Sequence, residues 1–116
     1  MISLPPSVRI FIGTTPIDMR KSIDGLMAVV HEELREDAYS GHLYVFVSRR
    51  CDRVKILAWD KGGFVLLYKR LDRGTFRVPE AEGGATSVAI EERALDDLLD
   101  GIDVEVTKRT KPALPH

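Results

Sequence analysis

Between Leu43 and Leu71 three β-type segments follow one another with only short polar connections: Leu43–Val47, Val54–Trp59 and Phe64–Leu71. Segments so spaced read as an antiparallel meander, and that reading constrains the rest of the chain more than any other feature. Leu43–Val47 is a run of five apolar residues, hence a buried strand. Arg49-Arg50-Cys51-Asp52-Arg53 is a polar connection. Asp60-Lys61-Gly62-Gly63 is a hairpin turn whose glycines can take positive φ. Along the second segment Lys55, Leu57 and Trp59 share one face, and Val54, Ile56 and Ala58 the other. Both faces are mostly apolar, so this strand is expected inside the sheet and covered on both sides.

Elements around the meander are shorter. Val8–Ile12 is a partly alternating, β-branched strand that follows Pro5-Pro6 and stops at Gly13-Thr14-Thr15-Pro16. A helix follows, capped by Thr15 with Pro16 at its first position, or by Asp18 itself. Met19, Ile23, Leu26, Met27, Val30 and Leu34 recur at steps of three and four, which predicts one apolar stripe over 18–35. Gly25 weakens that helix by about 1 kcal/mol relative to Ala, so close packing is expected there. Beyond the meander, Phe76-Arg77-Val78 can begin a fourth strand before Pro79, Ser87–Ile90 a further one, and Glu91–Leu99 a helix ended by Gly101 with Ala94, Leu95, Leu98 and Leu99 inward. The expected fold is a small single α+β domain over 1–106. An antiparallel meander sheet carries one long N-terminal helix on a face and a short C-terminal helix. The tail 107–116 is polar and Pro-broken, expected to be flexible and basic.

Charge is distributed in blocks. Residues 43–77 carry nine Lys/Arg against three acids and six of the eight aromatics, whereas the whole chain has a net charge of −1. Residues 78–106 carry nine acids against Arg93 alone. A basic block beside an acidic one permits self-complementary pairing, or two partners of opposite charge. Cations with interleaved aromatics suit a phosphate backbone or an acidic partner. The plain alternative is that Arg and Lys decorate edges and loops, as edge strands do to resist aggregation. Arg49, Arg50 and Arg53 fall in one connection, and Lys69, Arg70, Arg73 and Arg77 around the end of the third segment. In a meander these groups are expected at opposite ends, as two patches. For Trp59 and Tyr68 core or rim packing is the plainer use, and stacking on bases the alternative.

Other chemistries find little support. At 116 residues, 44% hydrophobic and 30% charged, the chain is an ordinary globular domain. One cysteine excludes an internal disulfide. Neither a signal peptide nor an apolar run long enough for a membrane span is present, so the default location is the cytoplasm. Cys51 lies among arginines that would lower its pKa if exposed, yet no local signature ties it to His31, His42 or His116. One Cys and three scattered His lack zinc-site spacing. Asp18, Asp24, Asp60 and Asp72 each have a structural use: a cap, an i,i+4 partner for Arg20, and two turns. Gly62-Gly63 lacks the context of a phosphate-binding loop. No catalytic residue, metal ligand or cofactor is assigned.

Three ordered stretches carry a resemblance. Pro16-Ile17-Asp18-Met19-Arg20-Lys21-Ser22-Ile23-Asp24-Gly25-Leu26 is similar to the N-terminal motif of a transposon accessory family. Leu43 to Asp60, with Ser48-Arg49-Arg50-Cys51-Asp52-Arg53 at its middle, resembles the family's second motif. Phe64-Val65-Leu66-Leu67-Tyr68-Lys69-Arg70-Leu71-Asp72-Arg73-Gly74-Thr75-Phe76 resembles its third. The family is the TnpB-type accessory protein, the second-reading-frame product of insertion-sequence family sixty-six, unrelated to the RNA-guided nuclease of the same label. The resemblance spans roughly residues 5–105. Cys51 stands where relatives commonly carry an Arg- or Asn-type residue, which disfavours thiol chemistry. Val65 stands where they often carry an aromatic, which weakens base stacking on that strand.

What the resemblance implies is a non-enzymatic role in transposition beside a separate transposase, the expected partner. Two functions follow as expectations. One is nucleic-acid binding, with element DNA held by Arg49, Arg50, Arg53, Lys69, Arg70, Arg73 and Arg77. The other is a protein adaptor that docks on the transposase or self-assembles, with Arg20, Lys21, Asp24 and the acidic 91–105 segment as contacts.

Overall fold

The computed structural model describes residues 4–100. Five strands form one mixed sheet: β1 (Ile10–Gly13), β2 (Leu43–Val47), β3 (Arg53–Asp60), β4 (Gly63–Arg70) and β5 (Ser87–Ile90), in the order β4-β3-β2-β1-β5. The helices are α1 (Ile23–Glu32) and α2 (Glu92–Leu99). β2, β3 and β4 are the expected antiparallel meander, with Asp60 opposite Gly63 across a two-residue turn. Lys61 (φ 46°) and Gly62 (φ 89°) are both left-handed there, the turn whose twist suits a hairpin.

The sheet is not wholly antiparallel. β1 runs parallel to β2, with Phe11 opposite Tyr44, and α1 is the crossover between them. β5 closes the other edge of β1 antiparallel, with Phe11 opposite Ala89. A parallel neighbour needs a crossover of a dozen or more residues, which the helical segment between β1 and β2 supplies.

Side-chain alternation divides the core into two layers. On one face Tyr44, Phe46 and Leu57 pack under Leu26, Val29, Val30 and Leu34 of α1 and its C-terminal extension. On the other, Val45, Val47, Val54, Ile56, Ile10 and Ile12 pack under Leu95, Leu98 and Leu99 of α2. Fully burying an aliphatic side chain contributes about 1.5–3 kcal/mol, so each layer is an extensive source of stability. Val54 through Leu57 are all buried, which bears out the expectation that β3 is covered on both sides.

α1 is shorter than the 18–35 span its periodicity predicts. Asp18 caps no helix. Its carboxylate accepts from the Arg20 backbone N–H (2.9 Å) and from the Arg20 guanidinium (2.7 Å to Nη2), while Lys21 N–H donates to Asp18 C=O. That turn is closed before the helix begins at its N-cap, Ser22. Asp24 therefore has no i,i+4 relation to Arg20, because residues 18–22 are not helical. Gly25 does pack closely: a Cβ there would lie 3.2 Å from Lys21 Cβ.

Two further expectations need correction. Phe76-Arg77-Val78 is not a strand. Phe76 is buried in the α2-side core and its backbone N–H donates to Cys51 C=O, so the segment is pinned by one side chain and makes no ladder. The two arginine groups also share one end of the sheet. The single reversal at Lys61-Gly62 returns the end of β4 to the β2–β3 connection: Arg53 is opposite Arg70, and Leu71 N–H donates to Asp52 C=O at 2.8 Å. Gly101 and the tail 107–116 lie outside the described residues.

Candidate functional site

The β2–β3 connection is a tight, internally bonded turn. Ser48 N–H donates to Arg53 C=O (2.9 Å), and Arg53 N–H to Ser48 Oγ (3.1 Å). Ser48 Oγ donates in turn to Asp52 Oδ1 (3.2 Å). Cys51 takes a left-handed conformation, φ 60°, in a position that favours Asn or Gly over other residues. These bonds leave Arg49 and Arg50 exposed at the crest of the turn.

Beside it lies the 17–20 turn, and the link between the two is Lys55. Only 9% exposed, Lys55 lies on the α1 face of β3 and has no carboxylate partner among the described residues. Its ammonium instead donates to Met19 C=O and Lys21 C=O, both at 2.7 Å, and sits 5.2 Å from the centre of the Tyr68 ring. Ile17 N–H donates to Val47 C=O (3.0 Å), which anchors the other end of the loop to β2. A buried ammonium satisfied by backbone carbonyls holds the first motif against the second.

Together these elements form a basic cleft of about 580 Å³, lined by Asp18, Met19, Arg20, Arg49, Arg50, Arg53 and Tyr68, together with Ile17, Ser48 and Asp52. The Arg20 guanidinium beside Asp18 holds that carboxyl far below the usual carboxylate range, and Asp18 in turn raises the Arg20 pKa. The ion pair fixes Arg20 in orientation while 90% of its side chain stays exposed. Arg53 Nε is buried without an acceptor among the described residues.

Of the residues expected to meet nucleic acid, Arg49, Arg50 and Arg53 line the cleft. Arg70 is exposed and shares the cleft face with Arg53 through their cross-strand pairing. Arg73 and Arg77 are exposed in the segment that Leu71 and Phe76 tie to this end. Lys69 points to the opposite face, where its ammonium donates to Leu99 C=O at the C-terminus of α2. Of the expected protein contacts, Arg20 lines the cleft, whereas exposed Lys21 and Asp24 do not. Sequence reasoning missed Lys55 as the organiser of the site. The signal was present: a lone cation on the face it shares with Leu57 and Trp59.

His31 Nε2 accepts from Ala38 N–H (3.1 Å) and His42 Nδ1 from Arg9 N–H (2.9 Å), so both rings brace loops. Among the described residues no group of three His, Cys, Asp or Glu is placed to hold a metal ion, and no helix is long and apolar enough to cross a membrane.

Fold and site define an α+β domain whose mixed sheet, covered by a helix on each face, ends in an arginine-lined cleft. The family model described as IS66 Orf2 like protein matches residues 8–109, and the chain belongs to that family. It is an insertion-sequence-associated accessory protein. Two relatives come from Sinorhizobium fredii (strain NBRC 101917 / NGR234). Uncharacterized protein y4jC is 38% identical over 109 residues, covering 94% of this chain and 92% of the relative. Uncharacterized protein y4hO is 41% identical over 103 residues, covering 89% and 88%. No solved structure matches the chain.

Proposed function

We propose that this chain is a non-catalytic accessory factor of transposition that holds nucleic acid through the basic end of its sheet. The observation that carries the reading is convergence: Arg20, Arg49, Arg50 and Arg53, from two separate stretches of sequence, line one cleft. Arg70, Arg73 and Arg77 extend the same end. Of the two cleft acids Asp18 is charge-compensated by Arg20, so it opposes an incoming phosphate less than a free carboxylate would. Lys69, committed to the end of α2, is left out of the contact set.

Binding to element-end DNA, measured as a function of salt, tests this. Each phosphate contact contributes about 0.9 to the slope of log K against log salt, so Arg49→Ala with Arg50→Ala should flatten that slope by close to two such increments. Absence of binding at low salt to both the duplex and its separated strands would overturn the reading.

An adaptor role has one observation of its own. A largely apolar groove of about 420 Å³ lies between α2 and the turn end of β3 and β4, and Val65 in its wall is 53% exposed. Capture of the element's transposase, insensitive to nuclease and lost with Val65→Glu, would favour docking over DNA contact.

A further inference from the structure

We propose that the cleft takes single-stranded nucleic acid, with Tyr68 as the platform on which one unpaired base stacks; this rests on the nucleic-acid reading above. Tyr68 is 51% exposed, one of three large hydrophobic side chains among the described residues that reach the surface to this degree. Tyr39, equally exposed, is occupied by other rings: Trp59 at 5.0 Å, Phe64 at 5.1 Å and His31 at 6.5 Å between centroids. Tyr68 has no ring neighbour among the described residues. The Lys55 ammonium lies 5.2 Å from the ring centre, and the ring lines the cleft together with Arg20, Arg49, Arg50 and Arg53.

The surroundings select the ligand. A ring set in a concavity can meet a base only if the base leaves its own stack, which single strands permit and a duplex does not. Its lining sets one exposed ring beside four arginines, the pairing of stacking surface and phosphate contacts that an unpaired strand requires. Arg20 and the arginines of the β2–β3 turn flank the ring, where phosphates on either side of a stacked base would pass. The substitution of Val65 for an aromatic does not bear on this, because β4 alternates: Val65 faces the α2 groove, and Tyr68 the cleft.

Fluorescence anisotropy with four labelled probes tests the inference. These are an oligothymidylate, an oligouridylate, an abasic strand of the same length, and a duplex of that length. The wild-type chain is compared with Tyr68→Leu and Tyr68→Phe, each first shown by thermal unfolding to be folded. Wild type should bind a base-bearing strand more tightly than the abasic one by about 5- to 150-fold, the range for one base–aromatic stack. Tyr68→Leu should abolish that difference and Tyr68→Phe keep it, with duplex affinity equal in all three. Tighter binding of either the thymidylate or the uridylate than of the abasic strand supports the proposal. If the abasic strand binds as well, or Tyr68→Leu loses nothing while duplex is still bound, stacking is overturned and the broader reading stands. If no probe binds at low salt, both fall.

Discussion

Replacing Lys55 by Met is the most informative single change in this protein. Met keeps most of the apolar stem but removes the ammonium, and with it the two 2.7 Å hydrogen bonds to Met19 and Lys21 carbonyls. Hydrogen bonds from a charged group contribute about 1.5–3 kcal/mol each, a gross loss of about 3–6 kcal/mol. Two effects offset it. Met escapes the desolvation of a buried ammonium, which costs several kcal/mol. Water can also reach the freed carbonyls, because Met19 is half-buried and Lys21 exposed. The expected net loss is about 1–2 kcal/mol, each kcal/mol lowering Tm by about 4–8 °C in a domain of this size. The local effect should exceed the global one. Hydrogen exchange at the Lys21 amide, bonded to Asp18 C=O, should accelerate far more than at Leu57 in β3, and affinity for nucleic acid should fall although no phosphate contact was removed. A variant that exchanges and binds like wild type would refute the claim that Lys55 organises the site.

Four other outcomes are expected. Because Arg20 depresses the Asp18 pKa below its ordinary value of 3.8, their pairing stabilises the turn fully above that value and is lost only as pH falls through the depressed one; the Asp18 carboxyl followed by NMR should stay ionised at acidities that protonate other carboxylates, and shift up toward the ordinary range in Arg20→Gln, which keeps only the backbone N–H bond. Lys69→Ala should lower stability by about 1–3 kcal/mol, through loss of its charged hydrogen bond to the end of α2, while leaving the salt slope of nucleic-acid binding unchanged. Gly62→Ala, at φ 89° with open space around it, should cost about 1–2 kcal/mol in chemical denaturation, and Lys61→Asn should be neutral or stabilising.

Local patterns are legible in the chain where the physics is local. The alternation in 54–59, the Lys61-Gly62 turn and the short helix before Leu99 all depend on neighbours a few residues apart. Non-local relations were not legible. Nothing in Val8–Ile12 states that its partner is β2 running the same way, although a strand, a helix and an unbroken apolar strand in succession is the order a parallel unit requires. The helix start was misplaced because Met19 continues the apolar period while Asp18 and Arg20 bind each other, and periodicity does not register that competition. The division into opposite patches was an error of geometry. An up-down-up meander by itself returns Arg70 to Arg53. The cleft was invisible for another reason: its two walls are held by Lys55 across 34 and 36 residues.

The position of β1 has a consequence for how this protein is made. Its neighbours are β2, whose residues lie 33 positions further on, and β5, nearly 80 positions away, as in the pairs Phe11–Tyr44 and Phe11–Ala89. The meander is assembled from hairpins and needs little chain searching, whereas the pairing of β1 with β5 closes the longest loop in the sheet. On a ribosome β1 emerges first, yet one side of it has no partner until Ile90 has left the exit tunnel. The basic end, built from 17–20, β2, β3 and β4, can therefore be complete while the opposite edge of the sheet is still open.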